Sequence, residues 1–229
     1  MGKFILLLIP VLFAGITRVA AQADMKEDVA MIKKNLTDSK AAMKKYEWIE
    51  TTTTFMKGEQ KGVTQKQCYY AVDGKLTKVE TGGSTEAKAP RGIKGKVVAN
   101  KKDEMSDYVK KAVAKIQTYL PPDPAKIQKI YSDGKVSIQI LEPNKKFKLS
   151  FPDYNEKGDI LSVSLDKSAQ KIMAVEVSTL VDKDKVVFNI TYSNLPDGTQ
   201  YPGKTTLDAQ AKDLKIVIEN SGFKNAAGK

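Results

Sequence analysis

From Lys135 to Ile218 the apolar residues of this chain fall on every second position: Val136/Ile138/Ile140, Phe147/Leu149/Phe151, Leu161/Val163/Leu165, Met173/Val175/Val177, Val186/Phe188/Ile190/Tyr192 and Leu214/Ile216/Ile218. Side chains alternate across a β-strand, so each run predicts a strand with one apolar and one wet face, and Lys204 to Ala209 is a weaker further strand. The connectors Glu142-Pro143-Asn144, Pro152-Asp153, Asp166-Lys167, Asp182-Lys183-Asp184 and Pro196-Asp197-Gly198 are turn chemistry too short for a crossover, which forces an antiparallel meander. Clean alternation means that only one side of the sheet is covered.

The first half adds strands and the cover. Tyr46 to Met56 is rich in β-branched and aromatic residues, and Val63 to Val72 reaches the turn pair Asp73-Gly74, from which Lys75 to Thr81 returns as a hairpin. That makes roughly nine or ten strands, a number at which a twisted open sheet curls. Met25, Val29, Ile32, Leu36 and Met43 lie at helical spacing, with Thr37-Asp38-Ser39 as an expected break. Residues 82–92 read as a Gly, Ala and Pro loop. A second helix, from about Asn100 to Leu120, carries Met105, Val109, Ala112, Val113, Ile116 and Leu120 on one stripe, with Asp103-Glu104 expected in its first turns and Pro121-Pro122 at its end. Asp123-Pro124 offers a cap and first turn for a short third helix that Asp133-Gly134 stops. The expectation is an α+β protein, a strongly curved antiparallel sheet with helices over its concave face.

The N-terminus reads as a separate unit. A short basic start is followed by an apolar stretch from Phe4 to Ile16, too short to span a membrane and interrupted by Pro10, which predicts an export signal at residues 1–21. Val19-Ala20-Ala21 is the preferred cleavage motif and Ala21-Gln22-Ala23 the alternative. No Cys follows the stretch to carry a lipid, so the mature chain is expected to be soluble. Residues 22–223 then form a single domain, and 224–229 an unstructured tail.

Composition removes most catalysts. Among 229 residues there is no His and one Cys, which excludes Ser-His-Asp triads, Cys-His pairs and His- or Cys-built metal centres. The formal charge of +11 is carried by scattered lysines, with Arg18 and Arg91 the only arginines. Phosphate and guanine readout relies on arginine forks, so nucleic acid is not expected as a partner, whereas an anionic membrane surface remains one. No catalytic residue, cofactor or metal is assigned. A dry void of ~300 Å³ inside a curled sheet would cost about 7 kcal/mol, comparable to the whole stability of a domain. Either the helices fill the concavity or a hydrophobic guest does.

The export signal, the amphipathic helix leading into a Tyr-x-Trp-x-x-x-Thr-x-Thr strand (Tyr46 to Thr54), the helical insertion after the first hairpins and the closing meander resemble the LolA-like group of periplasmic lipoprotein carriers and outer-membrane lipoprotein-sorting proteins. Leu195-Pro196-Asp197-Gly198-Thr199-Gln200-Tyr201-Pro202-Gly203-Lys204-Thr205, followed by Leu214 to Ile218, is similar to the ends of many members. The resemblance covers roughly residues 24–223. It implies an incomplete β-barrel closed by helices, with a hydrophobic cavity for lipid or lipoprotein acyl chains, a periplasmic location and a lipid or lipidated protein as partner. In the family an arginine on an early strand holds the helical lid closed. Here no Arg lies between Asp24 and Pro90, and Lys61, Lys66 or Lys75 would replace it only as a point charge.

Within this reading Trp48, Phe147, Phe151, Val175, Phe188 and Ile190 are the expected cavity lining, and Val109, Val113 and Ile116 the lid. The same residues also suit an ordinary packed core, which would make the protein a structural or interaction domain docking on an envelope component or a protein partner, and in either reading a monomer is expected. Three further signals reduce to structure. Asp153-Tyr154-Asn155-Glu156-Lys157-Gly158 mimics a calcium loop, but Lys157 and Ser164 occupy ligand positions, which leaves a turn. Cys68 beside Tyr69 and Tyr70 reads as a small buried hydrophobe. Asn35-Leu36-Thr37 and Asn189-Ile190-Thr191 match the glycosylation pattern, and both are expected to be unmodified.

Overall fold

The computed structural model describes the backbone of residues 16–82 and 93–226 and the side chains of 27–82 and 103–226. Helix α1 (Ile16–Met43) leads into β1 (Tyr46–Met56), β2 (Glu59–Tyr70) and β3 (Leu76–Gly82). Helices α2 (Ile93–Gln117) and α3 (Pro124–Ser132) follow, and then β4 (Ser137–Glu142), β5 (Lys146–Pro152), β6 (Ile160–Asp166), β7 (Lys171–Val181), β8 (Asp184–Asn194), β9 (Gln200–Ala209) and β10 (Leu214–Asn225). The ten strands form one open, curved sheet in the order β3-β2-β1-β10-β9-β8-β7-β6-β5-β4, with every neighbouring pair antiparallel. From β4 to β10 the chain is a plain meander, as the short connectors require. The first and last strands then meet in mid-sheet, Tyr46 beside Asn225 and Met56 beside Leu214.

Turn geometry explains the tight hairpins. Lys57-Gly58 and Asp182-Lys183 join their strands with two residues each, all four at positive φ (53°, 77°, 49° and 72°), the backbone that matches the twist of flanking strands. Glycine supplies it without a steric cost at position 58.

The register fixes which side chains point inward. Phe147, Leu149 and Phe151 on β5 lie opposite Leu165, Val163 and Leu161 on β6, and the row continues through Val175 and Val177 on β7 to Ile190 and Phe188 on β8. Ile32 of α1, Ile116 of α2, Tyr119 just beyond its end, and Ile127 and Ile130 of α3 pack on this row and form the main core. A second cluster joins Tyr108 and Ala112 of α2 to Val181, Val186, Leu207, Ala209 and Leu214. A third, at the other end of the sheet, holds Met43 of α1, Trp48 and Cys68.

Four sequence expectations are corrected. The break in α1 at Thr37-Asp38-Ser39 does not occur: Thr37 Oγ1 donates to the Lys33 carbonyl at 2.9 Å and Asp38 pairs with Lys34 at 2.5 Å, so both polar side chains are satisfied within the helix. The helix α2 begins at Ile93, which leaves Asp103-Glu104 in mid-helix, away from the dipole they were expected to meet. Residues 224–226, expected to be an unstructured tail, are ordered: Lys224 and Asn225 pair with Glu47 and Tyr46, and the Ala226 N–H donates to the Lys45 carbonyl at 2.7 Å. The inner face is also not apolar throughout: across β1 to β3 it carries Glu50, Thr52, Thr54, Lys66, Lys78 and Glu80. Residues 4–15 of the apolar stretch and 83–92 of the expected loop lie outside the described residues, and α1 is continuous through the expected cleavage site.

Candidate functional site: a hollow beneath α1

Three clusters share one face of the sheet, and a hollow of about 330 Å³ lies under the C-terminal half of α1. That volume is at the small end of ligand pockets. Its apolar walls are Leu36 and Met43 from the helix, Trp48, Tyr70, Tyr192 and Ile218 from the sheet, and Pro202. Its polar lining is Ser39, Lys40, Glu50, Gln200, Thr205 and Asn220. Lys40 and Leu76, both exposed, mark the mouth. Concavities of about 620 and 500 Å³ lie on the opposite face of the sheet, where Phe55, Leu214 and Val217 are set among threonines, Lys204, Asp208, Lys215 and Glu219, and one of about 370 Å³ beside α1 is lined mostly by polar groups such as Lys34, Asn35, Asp38 and Asp197. They offer less to an apolar guest.

Trp48 is the rigid wall of the hollow. Its indole N–H donates to Asn220 Oδ1 at 3.0 Å, and the Asn220 amide donates to the Pro202 carbonyl at 2.8 Å. The ring stacks on Phe223 with centroids 5.8 Å apart and packs against Tyr70 at 6.1 Å. Cys68 lies opposite Trp48 in register and is fully buried. Burial, and then the Glu50 carboxylate, push its thiol above the usual value, which favours the protonated form. Burial also raises Tyr70, and it raises Tyr192 to about 12, so both phenols stay neutral in a dry wall. Glu50 is paired with Lys78 at 2.5 Å, so this polar flank is internally neutral.

Of the expected lining, only Trp48 borders this hollow. Phe151 and Val175 are wholly buried beneath the helices, and Phe188 fills the seam between two core clusters. Ile190 is buried beside Thr205 in register. Phe147 is half-buried nearer the β4 edge, with the Lys167 ammonium 5.2 Å from its ring centre. Of the expected lid, Ile116 is core, Val109 packs on the second cluster, and Val113 is 42% exposed. The helix over the hollow is α1, and α2 is an ordinary packed cover. Met43, Leu36, Tyr192 and Ile218 had been legible as apolar positions of their own elements. What identified them as walls was the pairing of β10 with β1, which no local pattern encodes.

The calcium-like loop is closed on itself. The Gly158 N–H donates to Asp153 Oδ1 at 2.8 Å, and Asn155 is engaged by Lys126 and Thr118. Among the possible lid-holding lysines, Lys61 pairs with Glu59, Lys75 pairs with Asp73 at 3.3 Å, and Lys66 is half-buried on the inner face. No group of three or more His, Cys, Asp or Glu among the described residues is placed to hold a metal ion, and no described helix is long and apolar enough to cross a membrane.

No family model matches the chain, and no curated protein matches it either. Two solved structures are similar. One is a DUF1329 family protein from Desulfovibrio piger, with a TM-score of 0.38 and 7% identity over 89% of this chain and 94% of that one. The other is a putative outer membrane lipoprotein-sorting protein domain from Vibrio parahaemolyticus, with a TM-score of 0.36 and 10% identity over the same shares. Similarity at this level transfers neither ligand nor partner.

Proposed function

We propose that the protein is an exported, periplasmic, non-enzymatic carrier or sensor that holds the apolar part of an amphiphile, a lipid or a lipoprotein acyl chain, in the hollow beneath α1. The observation that carries this reading is the hollow itself, with aromatic and aliphatic walls and a mouth set among Lys40, Ser39 and the Glu50–Lys78 pair. An acyl chain contributes ~0.8 kcal/mol per buried methylene, and a polar head at the mouth stays wet. The sequence supports it with an export signal and with the absence of histidine from any catalytic device.

The test uses the single tryptophan, Trp48, as a reporter. Native mass spectrometry of protein purified from cells is expected to show co-purifying lipid, and titration of the stripped protein with a fatty acid is expected to shift Trp48 emission. Ile218→Phe, which fills the hollow from β10, is expected to remove both signals while the circular dichroism stays unchanged. A wild-type protein free of lipid, whose Trp48 emission ignores fatty acids, would favour the second reading, an interaction domain with a packed core. That reading draws on the fully buried Phe151, Leu161, Val163 and Val175, which already fill most of the concavity.

A further inference from the structure

Two properties of the hollow beneath α1 restrict its guest: how much it holds and where its charges sit. A methylene group takes roughly 30 Å³, about the share of a water molecule in the liquid, so a hollow of about 330 Å³ holds at most about eleven of them, enough for one acyl chain and not for two or three. The buried polar groups of the lining are engaged within the protein. Gln200 donates to the Ile172 carbonyl at 2.7 Å, and Asn220 bonds both Trp48 and the Pro202 carbonyl. Only Lys40 and Glu50 of the lining carry charge, and Glu50 is neutralised by Lys78 at 2.5 Å. Lys40 is exposed at the mouth and forms no ion pair among the described residues. Just past the end of α1 the Lys44 ammonium lies over the β2–β3 turn, 3.9 Å from where a Cβ on Gly74 would stand, and the acid of that turn, Asp73, is paired with Lys75 at 3.3 Å. The interior therefore presents carbon, and the rim presents two lysines that no described carboxylate balances.

Resting on the carrier reading, we propose that the guest is a single-chain anionic amphiphile of about twelve carbons, its tail beside Trp48 and its carboxylate or phosphate head at Lys40. Tail-first entry buries carbon and leaves the head hydrated. Lysine is a point charge and not a fork, so Lys40 reads the sign of the head and not its shape. A three-chain lipoprotein anchor exceeds the volume, and a cationic head would meet Lys40 and Lys44 as like charges. The field of a chain with a formal charge of +11 acts in the same sense at longer range.

Dye displacement, with Trp48 emission alongside, tests this on the stripped protein with dodecanoate, dodecyl phosphate and dodecyltrimethylammonium, each below its micelle threshold. Either anion is expected to bind about fivefold or more tightly than the cation at low salt, with the gap shrinking in about 0.5 M salt, and the tighter of the two anions names the head. Lys40→Glu is expected to narrow that gap at least by about half, with unchanged circular dichroism because the residue is exposed. Lys157→Glu, the same change of charge in the loop between β5 and β6 and away from the hollow, is expected to keep it. Among carboxylates, affinity is expected to rise from octanoate to dodecanoate and to level off by hexadecanoate, whose extra carbons find no room. A cation bound as tightly as the anions, a gap unchanged in Lys40→Glu or narrowed equally in Lys157→Glu, or an affinity still climbing steeply at hexadecanoate overturns the proposal and leaves the carrier reading standing, since a guest has bound. No response to any of these guests overturns both.

Discussion

At the scale of single residues, two buried polar groups set the chemistry of the fold. Asp159, in the loop between β5 and β6, accepts from the Tyr119 hydroxyl at 2.6 Å and from the backbone N–H groups of Asn155 and Glu156 at 3.1 and 2.8 Å, while Tyr119 also meets Thr179 at 3.0 Å. These bonds tie the end of α2 to the sheet. Asp159→Ala leaves the Tyr119 hydroxyl with Thr179 alone and takes the acceptor from two part-buried N–H groups, and it is expected to lower stability by about 1–3 kcal/mol in urea unfolding, with no change in ligand affinity. The second prediction concerns alkali. Burial holds the Tyr192 phenol at about 12, and Tyr119 and Tyr108 are also raised. The unfolded chain releases these protons near pH 10 and the folded chain does not, so stability is full below pH 10 and falls as the pH rises toward 12. Tyr192→Phe is expected to remove its share of that fall, on the order of 2 kcal/mol, measured as the difference in urea midpoints at pH 9 and pH 11.5. Trp48→Ala, which opens the wall it forms with Tyr70 and Phe223, is expected to cost about 3–5 kcal/mol and to weaken fatty-acid binding at least tenfold, read by dye displacement.

Among the elements, α1 and α2 have different tasks, although both are amphipathic covers. Leu36 and Met43 of α1 close the hollow, whereas Val113 of α2 points to solvent. Leu36→Asp is accordingly expected to reduce ligand affinity severalfold, and Val113→Asp to leave affinity and melting temperature within ordinary surface effects, about 0.5 kcal/mol. The strands were legible because alternation and turn residues are local. β5 and β6, for instance, follow Phe147/Leu149/Phe151 and Leu161/Val163/Leu165 directly, and α3 starts at the Asp123 cap whose carboxylate accepts from the Ala125 N–H at 2.8 Å. The start of β9 was less so, since Tyr201-Pro202-Gly203 reads as loop until Ser193 and Asn194 pair with it. The site itself was the least legible. Phe151 and Trp48 look alike as inward aromatics on apolar strands, and only the placement of three helices on one face decides that the first is packed and the second borders open space. Face and element were encoded nearby in the chain. Occupancy was not.

For the molecule as a whole, a hollow that fills on binding links guest to stability. A lipid at a hundred times its dissociation constant is expected to add about 2.7 kcal/mol, which for a chain of this size raises the melting temperature by roughly 5–10 °C. Scanning calorimetry before and after lipid stripping reads that difference directly, and Ile218→Phe is expected to abolish it. The pairing of β1 with β10 has a temporal meaning as well. The opening three ribbons gain their neighbour only once residues 214–225 have been made, so until then they have no finished sheet to join, and under the proposed export the sheet would close only after that last ribbon has followed the first across the membrane.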